Sequence, residues 1–177
     1  DSRIVQVQDE TEAHSAKRNF ACLVRQTRAP YVMFCDQVDW WHEEKIEKTL
    51  RCMQRLEKEY GTLVPLLVHS DLRVVDEERE EIASSMAKRQ KLDLHRTELS
   101  QLLVQNIVTG CTVMMNQALT KQLQRLPEQA IMHDWYAALT AAALGHIGVL
   151  DEATIDYRQH RQSGGQQAGK ERGLCGT

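Results

Sequence analysis

Asp36 and Asp39 follow a continuous apolar run, Tyr31-Val32-Met33-Phe34-Cys35, and Asp71 follows a second, Leu63 to Val68. In an open α/β sheet, ligands gather at the carboxyl ends of strands. Carboxylates placed there suit a hard divalent cation, Mg²⁺ or Mn²⁺, which takes oxygen ligands and shares them with substrate phosphates. The competing reading is that these acids cap the turns after strands. His133-Asp134-Trp135 is a second constellation. An Asp opening a helix commonly caps the free amides or complements the dipole. Beside a His and an aromatic ring it could instead be partly desolvated and act as a general base. Tyr157-Arg158-Gln159-His160 groups a cation, an amide and an imidazole, a set that suits a phosphate leaving group or, more simply, a solvated chain end. Cys35 and Cys111 border apolar runs without a paired base. His14, His42, His95 and His146 lack ligand spacing and read as surface or satisfied residues.

The elements that must position these groups alternate. Ala16, Phe20, Leu23 and Val24 fall at helical spacing, so 15–28 reads as an amphipathic helix ended by Ala29-Pro30. The run 31–35 suits a strand covered on both faces of a parallel sheet. Ile46, Leu50, Met53 and Leu56 mark one face of a helix over 42–60, closed by Gly61. A strand over 63–68 contains Pro65, which cannot donate to a ladder, and Leu72 to Val75 extend it. The charged stretch 76–91 reads as surface loop and helix, and Leu99, Leu102 and Leu103 as a short helix. A strand is expected over 111–115, a helix over 117–126 stopped at Pro127, and an alanine-rich helix over 135–144. Short strands follow at 147–150 and 154–157, and a further apolar strand is read at Ile4 to Val7. Strands alternating with helices imply an α/β fold with parallel elements.

The balance of 42% hydrophobic and 27% charged residues in 177 is that of one globular domain. A net charge of −3, with both signs mixed, lacks the basic stripe of a nucleic-acid binder. No apolar run approaches the roughly 18 residues needed to cross a bilayer. The five cysteines are scattered and form no CxxC pair, so they read as reduced thiols of a cytoplasmic protein. The tail over 161–177 is rich in Gly and Gln and reads as disordered.

Four stretches taken in order resemble the bacterial family 2 glycosyltransferases, in particular the rhamnosyltransferase-like ones. Arg18-Asn19-Phe20 with YVMFCDQVDWW (31–41) resembles the strand that runs into an acidic DxD-type motif followed by Trp. VHSDLRVVD (68–76) is similar to the next strand and loop, and QNIVTGCTVMMN (105–116) to the Asn–Thr–Gly segment of the sugar and acceptor pocket. IMHDWY (131–136) with YRQH (157–160) resembles the catalytic-base helix and the diphosphate-side loop. The resemblance covers 1–160. It implies the glycosyltransferase A fold, a mixed, mainly parallel sheet flanked by helices, with the first part of the nucleotide-binding half missing. It implies transfer of a sugar, rhamnose in that branch, from a nucleotide-diphosphate donor to an acceptor hydroxyl, with inversion, in cell-surface polysaccharide synthesis. Asp134 would be the base. Asn19, Asp36, Asp39, Asp71, Thr109, Gly110, Arg158 and His160 would bind substrate, with Asp36 and Asp39 holding the cation. The acceptor would be a saccharide or lipid-linked saccharide, handled at the inner face of the membrane.

Two substitutions depart from the family pattern. Val38 occupies the second acidic position of a usual Asp-Gln-Asp-Asp, and valine cannot coordinate. Ala13 and Ser15 replace an expected Asn and Gly. The alternative reading is a non-catalytic interaction module that keeps the fold and binds a partner at an open sheet edge.

Overall fold

Ser15 opens the first helix, α1 (Ala16–Gln26), where its hydroxyl accepts the Arg18 amide at 3.3 Å. The computed structural model describes residues 4–7 and 15–159. After α1 the order is β1 (Tyr31–Met33), β2 (Trp40–Trp41), α2 (Lys45–Tyr60), β3 (Leu66–Val75), β4 (Glu81–Ala83), α3 (Met86–Gln90) and α4 (Leu99–Leu102). A 3₁₀ turn (Gly110–Thr112), β5 (Met114–Asn116), α5 (Gln117–Leu123), α6 (His133–Leu144) and β6 (His146–Arg158) follow. The class is α/β with a mixed sheet, ordered β1-β5-β3-β6-β2, with β4 added on β3. No helix among the described residues is long and apolar enough to cross a membrane.

The expectation of a mainly parallel sheet is overturned. Of its pairings only β3–β6 is parallel; β1–β5, β3–β5, β2–β6 and β3–β4 are antiparallel. The reason is the position of β5, which wedges between β1 and β3 and runs opposite to both. β1 and β3, which point the same way, therefore do not pair with each other. Their acidic ends nevertheless stay level: Met33 lies opposite Met114, and Met114 opposite Val68, so Asp36 and Asp71 both stand three residues further toward the same end.

Both faces of β3 are covered, which is why it reads as an unbroken apolar run. Leu67 joins Met115, Leu119 and the buried Ala137, Ala138 and Ala141 of α6 on one side. Leu66 and Val68 join Met114 and Cys52 and Met53 of α2 on the other. Small residues let α6 lie close to the sheet. Pro65 sits just before the ladder, where its carbonyl accepts the His146 amide at 3.1 Å and no donor is needed. A Cβ on Gly145 would stand 1.8 Å from that carbonyl oxygen, so only glycine permits the approach of β6.

Other expectations shift. The strands read at 147–150 and 154–157 are one strand, whose register against β3 slips at Ser70/Asp71 and Asp71/Arg73. The polar pair Asp151-Glu152 belongs to that irregularity. The strand expected at 63–68 begins only at Leu66 and runs on through 72–75 as one strand, so Asp71 lies inside β3 and not at its end. Of the stripe expected on α2, Met53 is buried and Leu50 and Leu56 pack partly buried against the core, while Ile46 is 54% exposed; Lys45, Thr49 and Cys52 are further buried positions. Strand pairing ends at Met33, Phe34 turns into the core and Cys35 is exposed. Residues 111–115 begin as the 3₁₀ turn and become strand only at Met114. Residues 4–7 form no strand, and Ile4 and Val5 are exposed. His14, His160, Cys175 and the tail 161–177 lie outside the described residues.

Candidate active site

The 3₁₀ turn at Gly110–Thr112 carries the chain past two groups of polar side chains in consecutive residues. Thr109 lines a cavity of about 170 Å³ together with Asp134, Asp71, Ser70, Asn106 and Gln90. The Gly110 amide donates to Asp134 Oδ2 at 3.1 Å. Cys111 Sγ and the carboxylates of Asp36 and Asp39 each place a ligand atom within 4.8 Å of the others.

Asp134 is held from two sides. Its Oδ1 accepts the Trp135 amide at 2.7 Å, and the Trp135 indole donates to the Leu102 carbonyl at 2.7 Å. Asp134 stands in the first turn of α6, 9% exposed, so burial and the helix N-terminus act on it together. A helix-start acid with no other role would face solvent. This one faces a cavity.

His133, 5% exposed, is clamped between Phe20 and Phe34 with ring centroids 4.4 and 4.8 Å away. Neither ring nitrogen has a hydrogen-bond partner. Burial holds it below the usual imidazole range, against the pull of Asp134 and Asp36.

Asp39 sits across from β6, where its Oδ1 accepts the Arg158 amide at 3.2 Å. Its Oδ2 is closed off from solvent, and the Cys111 thiol donates to the carboxylate. Burial raises its carboxyl and Asp36 adds to the rise, while the Arg158 amide and the Cys111 thiol oppose it. Cys111, 2% exposed, is pushed well up by burial and then by Asp39 and Asp36. For the expected divalent cation the structure offers a candidate set only: Asp36 and Asp39, both half-buried, would hold it, with Cys111 beside them already bonded to Asp39.

Arg158, expected on the diphosphate side, meets Asp39 through its backbone amide, while its guanidinium lies over Trp40 at 5.5 Å, beside that of Arg79 at 4.9 Å. Asp71 lines the cavity, yet its carboxylate is engaged. It accepts the Leu72 and Ala87 amides at 2.8 and 3.2 Å and a short bond from the Ser85 hydroxyl. It fixes the start of α3, as the turn-capping alternative has it, so its contribution to the site is to shape the wall. Asn19 is exposed on α1 and does not line the cavity.

Two functional-looking groups escaped the sequence reading. Lys45 is 1% exposed, donates to Thr154 Oγ1 at 3.1 Å and lies 5.1 Å from the Trp41 ring centroid. Burial lowers it to about 8, while Cys111, Cys35 and Asp39 pull the other way. Asp156, 1% exposed, takes two bonds from Arg73 at 2.8 and 2.7 Å and one from His42 at 2.7 Å. Arg73 first, then His42, brings it down to about 2 against the cost of burial. The helical spacing of Lys45, Thr49 and Cys52 was the available signal for the first. The second had none. His95 and His146 are satisfied, by Asp151 at 2.7 Å and by stacking on Tyr60 at 3.6 Å.

Neither a protein-family model nor a curated protein matches this chain.

Proposed function

We propose that the chain is the acceptor and diphosphate side of an inverting glycosyltransferase of the A fold, using a nucleotide-diphosphate sugar. The observation that carries the reading is the Gly110–Asp134 contact. It sets a buried carboxylate on a polar cavity one residue away from a three-ligand acidic cluster. Asp134 takes the proton of the acceptor hydroxyl as that oxygen bonds to the anomeric carbon. The bond from that carbon to the diphosphate breaks on the opposite face, and the nucleotide diphosphate leaves with its electrons. Charge grows on the leaving oxygens, so cations fixed nearby lower the barrier. A bound divalent cation supplies that stabilisation at Asp36 and Asp39. The chain's own cations beside Asp39 are Lys45, within its electrostatic reach, and Arg158, whose amide it accepts.

An apolar hollow of about 240 Å³, lined by Leu103, Ile131, Met132, Trp135 and Leu139, opens on the helix that carries Asp134. It favours a lipid-linked saccharide acceptor and work at a membrane face, since Leu103 and Ile131 are 63% and 71% exposed. The second reading, an interaction module, is favoured by β1, whose outer edge pairs with no strand among the described residues.

The deciding experiment uses the full reading frame that contains this chain. It is incubated with nucleotide-diphosphate sugars, dTDP-rhamnose among them, and a polyprenyl-linked saccharide, and nucleotide release is followed. Donor-dependent release that falls about 10²- to 10⁴-fold in Asp134→Asn supports the reading. Release with no donor preference, or unchanged in Asp134→Asn, overturns it in favour of the interaction module.

A further inference from the structure

Lys17 on α1 donates to the Glu128 and Ala130 carbonyls at 2.6 and 2.7 Å, and Arg25 donates to the Gln124 carbonyl at 3.4 Å. These bonds fasten α1 along α5 and the turn after it, and they bring together charges that the sequence keeps apart. Over 15–35 the chain has four cations, Lys17, Arg18, Arg25 and Arg28, and no acid; over 117–132 it has Lys121 and Arg125 and a single acid, Glu128. Six cations and one carboxylate thus share one side of a protein whose net charge is −3. None of the six joins an ion pair among the described residues, since the bonds of Lys17, Arg25 and Arg28 go to carbonyls. On α2, across the sheet, Lys48 and Arg51 are instead neutralised by Glu44, Glu152 and Glu47. The basic side is apolar at its rim. Ala130, whose carbonyl takes a Lys17 bond, lines the hollow beside Ile131, Met132 and Leu103. Val104, next along the chain from Leu103, is 81% exposed.

We propose that this side docks on a bilayer of anionic phospholipids. The cations of α1 and α5 meet the headgroup phosphates, and Leu103, Val104, Ile131 and Met132 enter the boundary between headgroups and acyl chains. The inference rests on the proposed function only for the membrane setting; the surface itself makes the contact. An aliphatic patch alone would bury against any apolar partner, and a cationic face alone would take any polyanion. Together they fit an anionic bilayer, whose negative potential draws cations within a Debye length and whose acyl boundary accepts aliphatic side chains. A nucleic acid is the poorer fit. Its bases stack on open aromatic rings, whereas the exposed apolar side chains here are aliphatic and the rings of Trp135 and Tyr136 are half-buried in the hollow. A second copy is disfavoured by the same charges, because a two-fold pairing through this face sets its cations against their own kind. Docked in this way, the protein holds the start of α6, and Asp134 with it, at the bilayer surface.

The test sediments the whole protein with vesicles of phosphatidylcholine alone or of phosphatidylcholine with about one-third phosphatidylglycerol. The expected result is binding at least about tenfold tighter to the anionic vesicles, weakening steeply as salt is raised. Arg18→Gln with Lys121→Gln lowers that binding about tenfold or more, through lost attraction to the headgroups. Val104→Ser with Ile131→Ser lowers it about tenfold or more, through lost apolar burial. All four side chains are exposed, so both double variants fold, and unchanged thermal midpoints check this. Equal binding to the two kinds of vesicle overturns the inference, and so does anionic-vesicle binding that survives either double variant. Failure to bind vesicles, with a dimer that Val104→Ser and Ile131→Ser dissolve, makes the occupant a second copy and overturns it. Tighter binding to a single-stranded oligonucleotide, indifferent to Val104→Ser and Ile131→Ser, makes it a nucleic acid and does the same. Sedimentation is read without turnover. A protein that binds anionic vesicles and transfers no sugar loses the enzyme reading and keeps this one; transfer to a soluble acceptor without vesicle binding does the reverse.

Discussion

The Gly110 amide points at Asp134 Oδ2 from 3.1 Å, and a Cβ on Gly110 would stand 3.1 Å from His133 Nε2 and 3.6 Å from that same oxygen. The glycine is thus both a donor to the proposed base and the gap that lets the base and its neighbour approach. His133 cannot retreat easily, because Phe20 and Phe34 hold its ring.

Gly110→Ala is expected to destabilise the fold by about 1–3 kcal/mol, the usual cost of overpacking a filled interior. Under the proposed function it also lowers turnover, by tilting the Asp134 carboxylate. Denaturant unfolding of Gly110→Ala, His133→Ala and the double variant measures the coupling. The double variant should recover about 1 kcal/mol or more over the sum of the singles. Strict additivity would show that the added methyl meets something other than the imidazole.

Gly145→Ala tests the sheet. Its methyl would stand 1.8 Å from the Pro65 carbonyl oxygen, a backbone atom that cannot swing aside. The variant is expected to lose about 3 kcal/mol or more, since β6 must separate from β3 at its first residue and forfeit the His146–Pro65 hydrogen bond. Gly148→Ala is the control. There the methyl meets Leu56 Cδ1 at 2.8 Å, the end of a side chain with rotamers to spare, and the loss should be distinctly smaller. Equal midpoints for Gly145→Ala and the wild type in a urea titration would contradict the described register.

How much of this was legible follows from what each residue type signals. Leu66 to Val68 announce a central strand because both of its faces meet apolar partners, and a sequence shows that as a run. Asp134 was legible as an acid at a helix start beside a pocket segment. Strand order was not, because β5 pairs with β1 and β3 across sequence gaps that no local pattern encodes. Lys45 drew no reading because charge is assigned to the solvated face by default, and of the apolar stripe expected on its helix Ile46 is the member that faces out. Cys111 was set aside as a nucleophile for want of a base; the acids that face it come from the other end of the chain.

Asp156 ties β6 to β3 and β2 through Arg73 and His42, and its carboxyl is held down to about 2. The sign follows directly. The folded state releases this proton more readily than the unfolded chain, whose carboxyl titrates near 3.9. The stabilisation is therefore complete above about pH 5 and is lost as pH falls through 3.9 toward 2. Asp156→Asn is expected to cost about 3 kcal/mol at pH 7, because it strips charge from a buried pair and leaves Arg73 unmatched. The gap between the two proteins should narrow steadily between pH 5 and pH 2 in thermal melts. A gap that stays constant over that range would show that Asp156 acts by shape and not by charge.

Lys45 gives a slope of the same sign at the other end of the pH scale, but from a group that destabilises the fold when charged. Its ammonium is buried, and burial brings it down to about 8 from roughly 10.4 in an unfolded chain. Between these values the unfolded state holds a proton that the folded state has released, so stability rises with pH across the window. At about 1.4 kcal/mol per unit the rise is on the order of 3 kcal/mol. Lys45→Met keeps the length of the side chain and its packing on Trp41 while removing the charge. It leaves Thr154 Oγ1 with the Ser70 hydroxyl at 2.7 Å, so no polar atom is orphaned and the variant should fold. Wild type and Lys45→Met are therefore expected to converge as pH climbs from 8 to 10, with the variant the more stable by about 1–3 kcal/mol at pH 7. If Lys45→Met is instead the less stable at pH 7, the ammonium is stabilised by Asp39 and its neighbours more than burial costs it, and its folded pKa is not depressed.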